Sequence, residues 1–213
     1  MTAVLHSLLV LVLLLNLLAL GTSRIGAVIR TVALQGFLLG LMPLLVHEQI
    51  GWRVILLSAA IVFEKSVVIP IMLSRAMREA EIKREVEPLI GLVPSMVLGA
   101  LATGLSVGLS AQLPLLQSRV GPLVLPAALS TVLVGFILLT TRVKANSQVL
   151  GYLVLENGIF IFGLLLIEAM PFLVELGVLL DLLVMIFIVT IILNHISREF
   201  SSLDTRRLSS LKD

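Results

Sequence analysis

The ionisable residues of greatest interest in this sequence are acids and a lysine that lie within long apolar segments. Glu156 and Asp181 lie in the last two apolar segments, and Glu64 and Lys65 are adjacent in the third. A charge at the centre of a membrane helix costs ~2.5 to 3.5 kcal/mol on insertion scales, and such residues usually face a bundle interior or a water-filled path. Burial and nearby charges shift the proton affinity of such groups. We therefore predict a proton or cation path that uses these four residues.

Further polar residues lie near this path, namely Tyr152, Asn157, Gln35 and Glu175. Tyr152 comes one helical turn before Glu156 and Asn157 comes directly after it, so a hydroxyl and an amide are available to orient a proton or water. Glu175 lies close to the outer end of its segment, where its side chain can reach water. A structural role is the alternative, because polar side chains also join membrane helices and a lysine ion pair can serve only to lock the bundle.

Depth in the membrane follows from the rise of 1.5 Å per helical residue. Counted from the inner end of each predicted span, Glu156 lies at ~10 Å, Lys65 and Gln35 at ~15 Å and Asp181 at ~20 Å. Glu156 and Asp181 are then too far apart for a direct hydrogen bond, and only a water relay can connect them.

Composition identifies the class of protein. The chain has 213 residues, of which 59% are hydrophobic, and a mean hydropathy of +1.16, so it is an integral membrane protein rather than a soluble domain. The formal net charge is +2, but the basic residues cluster between apolar runs, which indicates membrane topology and no nucleic-acid partner. There are no cysteines and three histidines, so we expect no cofactor in this chain.

Seven apolar runs are long enough to cross a bilayer, at roughly 4–20, 25–46, 52–74, 89–111, 119–141, 149–168 and 172–194. They are predicted to be helices, because only helices and closed barrels satisfy their backbone in lipid and these runs are too long for barrel strands. Lysine and arginine cluster after the odd-numbered spans, whereas the opposite connections contain only Arg53 and Arg119. The positive-inside rule then predicts an outer N-terminus and an inner C-terminus.

The chain reads as a single membrane domain, 1–213, with three parts. These are an N-terminal three-helix unit, 1–88, whose inner polar loop 75–88 is either solvated or a docking surface; a connecting helix, 89–118; and a second three-helix unit with a short tail, 119–213. Two pairs of similar short segments, with about 120 residues between the members of each pair, suggest a parallel duplication of the two units. Spans four and five lack charge in their interiors and are rich in small residues, which favours a scaffold or a subunit interface.

The last three spans resemble a known family. After the basic turn TRVKANSQ, the segments GYLVLENGIFIFG and VELGVLLDLLVMIFIVTIIL are similar to subunit K of respiratory complex I and to the C subunit of multisubunit Na+/H+ antiporters. With the segment AIVFEKSVVIPIMLSRAMRE at 60–79, the whole chain resembles hydrogenase-4 component E, a membrane-arm subunit of formate hydrogenlyase-type and other group 4 [NiFe] hydrogenase complexes. The resemblance implies that Glu156 and Asp181 are the two buried acids of a proton path, with Asp181 in place of the usual Glu.

The same resemblance implies where the chain works and with what. Its partners would be antiporter-like and other membrane-arm subunits in the lipid bilayer of a prokaryotic inner membrane, beneath a peripheral redox arm on the cytoplasmic side. NiFe and iron–sulfur centres would belong to those partner subunits. The leading expectation is a non-redox subunit of an energy-converting complex that contributes to proton or Na+ translocation. The alternatives are a purely structural assembly subunit and, ranked lower, a stand-alone antiporter.

Overall fold

The structure is a computed structural model that describes residues 2–47, 50–79, 89–113, 121–143 and 145–166. These residues form six helices that are long and apolar enough to cross a membrane. The helices are α1 (Thr2–Gly21), α2 (Ile25–Val46), α3 (Trp52–Val62, Phe63–Val68 and Ile69–Glu79), α4 (Leu92–Ala111), α5 (Val124–Thr141) and α6 (Ala145–Leu166). The predicted class, an all-α multi-pass membrane protein, is confirmed. The seventh predicted span, 172–194, lies outside the described residues.

Two helix starts differ from those predicted. α5 begins at Val124 rather than near 119, because Gly121 adopts a φ of 106° and a proline follows it, so the chain turns before the helix starts. α6 begins at Ala145 rather than near 149. The polar residues of its first turn were assigned to the connection, but a helix whose remaining length is apolar can extend its end into the polar interface.

Helix α3 contains a turn that the sequence pattern did not predict. Phe63–Val68 is π-helical, and the amide of Ile69 donates a hydrogen bond to the carbonyl of Glu64, five residues earlier. Such single turns inside α-helices occur frequently at functional sites. This one carries Glu64 and Lys65.

Four helices form the centre of the bundle and two lie outside it. α1 contacts α2 and α5, while α6 contacts α2 and packs along α5; α3 packs against α2, and α4 packs against α1 and α5. The buried share of the most apolar part is 61% for α2, 56% for α5 and 61% for α6, but only 22% for α3 and 17% for α4. No other described helix therefore covers the outward faces of α3 and α4.

Hydrogen bonds show which helix ends share a side of the bundle. The Leu89 amide, ahead of α4, donates to the Thr141 carbonyl at the end of α5 at 2.7 Å. Arg142 Nη2, just after α5, donates to the Leu20 carbonyl near the end of α1 at 2.9 Å. The end of α1, the start of α4 and the end of α5 are thus together, as six helices that cross alternately require.

The closest helix pair, α5 and α6, meets through glycines. A Cβ atom added at Gly158 would lie 2.5 Å from the amide nitrogen of Val132, and one at Gly151 would lie 2.8 Å from that of Leu139. Small residues allow membrane helices to approach backbone to backbone. This contact fixes α6, and with it Glu156, against the centre of the bundle.

Candidate functional site

The centre of the bundle is a polar layer between two apolar layers. Six buried residues at matching heights, each 0–5% exposed, form this polar layer: Asn16, Gln35, Lys65, Thr131, Glu156 and Asn157. On α1, for example, Leu5, Leu9 and Val12 belong to one apolar cluster and Ala19 and Leu20 to the other, with Asn16 between them. The same order holds on α2, α5 and α6. Apolar side chains therefore close the polar layer on both membrane sides in the described part of the chain.

An ion pair lies in this layer. Lys65 Nζ on α3 contacts Glu156 Oε1 on α6, and each side chain is 6% exposed. Lys65 Nζ also donates to Asn157 Oδ1 at 3.4 Å and lies 5.9 Å from the centre of the Phe160 ring, within cation–π range. Two opposite charges removed from water are stabilised by each other only if their remaining hydrogen-bonding capacity is met, and the Asn157 amide contributes to this.

The amide groups continue from the ion pair in one direction. Asn157 Nδ2 donates to Gln35 Oε1 at 3.3 Å, Gln35 Nε2 donates to Asn16 Oδ1 at 2.8 Å, and Asn16 Nδ2 donates to Thr131 Oγ1 at 2.9 Å. The Thr131 hydroxyl then donates to the Ala127 carbonyl at 2.7 Å. A lysine ammonium can only donate, so it turns the Asn157 oxygen toward itself, and each following amide takes the matching orientation. The row joins five helices.

Helix α2 allows Lys65 to reach α6. A Cβ atom added at Gly36 would lie 2.5 Å from Lys65 Cβ and 3.1 Å from its carbonyl carbon, so only glycine admits the α3 backbone here. Two serines of α3 hold the helices together, because Ser66 Oγ donates to the Ala33 carbonyl at 3.2 Å and Ser58 Oγ donates to the Gly40 carbonyl. The close approach brings the lysine stem past α2 to Glu156.

The Gly36→Ala variant is expected to lose about 1–3 kcal/mol of unfolding free energy, because the new methyl group must push α3 away from α2. Gly26→Ala on the same helix is the matched control, since nothing lies within 4 Å of its added Cβ. Denaturant unfolding of the purified protein in detergent measures both. Equal stability of the two variants would contradict the close approach of α3.

Some predicted site residues meet in the structure and others do not. The structure brings Glu156, Lys65, Asn157 and Gln35 together in the polar layer. Because α6 begins at Ala145 rather than near 149, Glu156 lies about 16 Å along the helix rather than ~10 Å, and its carboxylate contacts Lys65. The remaining predicted residues are placed as follows: Tyr152 is partly buried one turn before Glu156, Glu64 is partly exposed on α3, and Asp181 and Glu175 lie outside the described residues.

Sequence reasoning missed two members of the polar layer. Asn16 is the one amide in the apolar run of α1, and that signal alone could have identified it. Thr131 gave no signal, since threonines in membrane helices commonly bond to their own backbone, as this one does to Ala127. Only its position beside Asn16 assigns it to the layer.

The Asn16→Leu variant is expected to lose about 1–2 kcal/mol of stability, because it leaves the Gln35 amide and the Thr131 hydroxyl with fewer partners. Ser7→Ala on the same helix is the control and should change stability by less than about 0.5 kcal/mol, since Ser7 is exposed and bonds within its own helix. Thermal unfolding in detergent compares the two. An unchanged melting temperature for Asn16→Leu would show that the amide row contributes nothing to stability.

Arg142 was predicted to lie in a basic connection, and its side chain proves to be 2% exposed. Its Nη2 atom caps the carbonyl end of α1, where the helix dipole favours a cation. Burial lowers the pKa of this guanidinium from its usual value. Its Nε and Nη1 atoms have no hydrogen-bond partner within the described ranges. We assign Arg142 a structural role at the ends of α1 and α5.

The arrangement can hold and move a proton between two atoms. Transfer from Lys65 Nζ to Glu156 Oε1 converts two buried charges into two neutral groups, so the pair can exist in two states. The amide row is a poor relay, because an amide nitrogen does not readily release its proton, and we assign it to orienting Lys65. Among the described residues, no group of three or more histidines or acids could hold a metal ion.

The fold and the polar layer define a multi-pass α-helical membrane protein with a buried ion pair. The chain is 32% identical over 189 residues to the uncharacterized protein Rv0085 of Mycobacterium tuberculosis, an alignment that covers 88% of this chain and 86% of that protein. The chain belongs to the same family as that protein. No protein-family model and no solved structure matches the chain.

Proposed function

We propose that this chain is a non-redox membrane subunit of an energy-converting complex of the group 4 membrane-bound hydrogenase or complex I type. The observation that carries the proposal is the Lys65–Glu156 ion pair, buried at mid-membrane depth and extended by an amide row. Such buried pairs are costly, and ionisable groups inside a membrane mark ion pathways and proton relays more often than scaffolding. The pair would gain and lose protons as partner subunits change the local charge.

The two apolar layers favour a subunit over a stand-alone antiporter. They close the polar layer toward both membrane surfaces, so the described residues offer protons no direct route from one side to the other. A polar layer of this kind is suited to respond to a change of charge in a neighbouring subunit through the protonation of Lys65 and Glu156. In this proposal the chain crosses the membrane seven times, with the basic connections and the C-terminus on the cytoplasmic side of a prokaryotic inner membrane.

The proposed partners follow from the same resemblance that the sequence carries. They are antiporter-like and other membrane-arm subunits, with NiFe and iron–sulfur centres in a peripheral cytoplasmic arm. The chain itself would hold no cofactor and catalyse no reaction alone. Asp181 would be the second acid of the path.

A structural assembly role is the second candidate, and one observation favours it. The amide row ends at a backbone carbonyl, that of Ala127, and together with Lys65 it joins five helices in a fixed register. Buried polar groups can specify a single arrangement of helices at some cost in stability. In this case the ion pair would lock the bundle and would never change its protonation.

Isolation of the native complex through an affinity tag on this chain tests the main proposal. Mass spectrometry is expected to identify antiporter-like subunits together with redox subunits, and the complex in liposomes should generate an ion gradient when electrons are supplied. A large subunit with four Ni-ligating cysteines would indicate a hydrogenase, and its absence a related complex. Purification of the chain without any redox subunit, under conditions that preserve membrane assemblies, would overturn the proposal.

A further inference from the structure

Glu64, the neighbour of Lys65 in the chain, is a partly exposed acid beside the polar layer. Glu64 and Lys65 are neighbours in the π-helical turn of α3, but Lys65 points into the bundle and is 5% exposed, whereas Glu64 is partly exposed. Glu64 lies in the middle of the span Trp52–Arg75, far from either membrane surface. Its side chain is therefore partly uncovered, among the described residues, at the depth of the hydrocarbon core.

Glu64 has no partner that satisfies it within the described part of the chain. Lys65 Nζ contacts Glu156 and Asn157 and attracts the Glu64 carboxylate only through space, and no hydrogen bond or salt bridge of Glu64 forms among the described residues. The Lys65–Glu156 pair is neutral as a whole, so Glu64 leaves one uncompensated acid at this level. A carboxyl group in contact with lipid tails at this depth is costly, and such groups in membrane proteins face protein or water.

The residues around Glu64 form an apolar face that no helix covers among the described residues. The four that flank it on α3, each between 41% and 63% exposed, are Leu56, Phe63, Val67 and Ile71. Together with Glu64 they are called the α3 face. Its composition matches the interior side of a helix contact, with apolar side chains surrounding a single polar group.

We propose that the α3 face is the docking surface for a membrane helix of another protein, which places a lysine, arginine or histidinium opposite Glu64. The partner cation neutralises Glu64 and extends the row of charges from Glu156 and Lys65 into the partner. A second copy of this chain does not meet this requirement. Two copies inserted in the same direction and joined through this face would bring their Glu64 carboxylates together at the same depth.

The inference and the proposed function both require a membrane partner. The inference does not require that the complex translocates ions. A mapped Glu64-dependent contact with a cationic helix in an assembly that lacks redox subunits would support this inference and remove the proposed function. Co-purification of redox subunits without any contact at the α3 face would support the proposed function and overturn this inference.

Photo-cross-linking in native membranes tests the docking surface. A photoreactive amino acid at Phe63 or Val67 of the full-length chain is expected to form an adduct with one transmembrane helix of another protein, which carries Lys, Arg or His within one turn of the adduct. The same probe at Leu14 of α1, which is 57% exposed at a similar depth on another helix, is the control and should not give that adduct. Adducts only with lipid, with a second copy, with residues 167–213 of the same chain, or with a helix lacking a cation would overturn the proposal.

Charge variants test the chemistry of the contact. Glu64→Gln keeps the size and hydrogen-bonding capacity of the side chain and removes its charge, and it is expected to lower recovery of the partner at least about tenfold on affinity purification. Glu64→Lys should lower it further, and replacing the mapped partner cation by Glu should restore recovery in that background. Full recovery with Glu64→Gln would overturn the ionic contact, as would failure of the charge exchange to restore recovery.

Discussion

The Lys65→Met variant is expected to lose about 3–5 kcal/mol of unfolding free energy, the largest stability effect of a single change in the polar layer. It leaves the Glu156 carboxylate buried without its counter-charge and removes the donor that orients Asn157. Unfolding in detergent is measured by the fluorescence of Trp52, the single tryptophan, which lies at the start of α3.

The double variant Lys65→Met/Glu156→Gln isolates the pair. It should recover most of the lost stability, because replacing both charges removes the uncompensated one. Arg30→Met is the control for loss of a positive charge, since Arg30 is exposed and bonds only within its own helix in the described structure. If the single variant were as stable as Arg30→Met, the buried pair would not contribute as the structure indicates.

The Glu156→Gln variant is expected to reduce redox-driven ion pumping by the intact complex about 10²-fold or more, while electron transfer in the partner subunits remains measurable. Gln keeps the hydrogen bond from Lys65 but cannot accept its proton, so the pair is fixed in one state. Pumping is measured as the ion gradient formed per electron transferred after reconstitution in liposomes. Gly163→Ala on the same helix is the control and should retain pumping, because nothing in the described structure lies within 4 Å of the added Cβ atom.

Stability and pumping together distinguish the two candidate functions. A proton-relay role predicts that Lys65→Met/Glu156→Gln assembles well and does not pump. A purely structural role predicts that the same double variant, once assembled, pumps with the normal ratio of ions to electrons. Normal pumping by both Glu156→Gln and the double variant would remove the proton role of this pair.

Much of the site was predictable because an ionisable residue within a long apolar segment is easily identified in the sequence. Glu156 and Lys65 were identified from their surroundings in the sequence alone, since few structural reasons place an ionisable group among leucines and valines. Their partnership was not predictable. It depends on the π-helical turn of α3 and on the absence of a side chain at Gly36, and neither gives a periodic signal.

The predicted distances of residues from the helix ends were less reliable than the identification of the polar residues themselves. The observed start of α6 lies four residues before the predicted one, so Glu156 is about 6 Å farther from that helix end than predicted. Helix ends at a membrane surface are set by local polar contacts, so hydropathy locates them poorly. Asn16 carried a signal in its apolar run, whereas Thr131 had none until the fold placed it beside Asn16.

The membrane class, the first six spans and the buried ionisable groups were predictable from the amino-acid sequence, because each of these follows from the transfer of side chains and backbone between water and lipid. Packing between the helices establishes which groups meet. It paired Lys65 with Glu156, aligned three amides behind them, enclosed the row between two apolar layers and left Glu64 at the surface. These arrangements depend on how closely helices approach and which way each face turns, and both are properties of packing between segments distant in the chain.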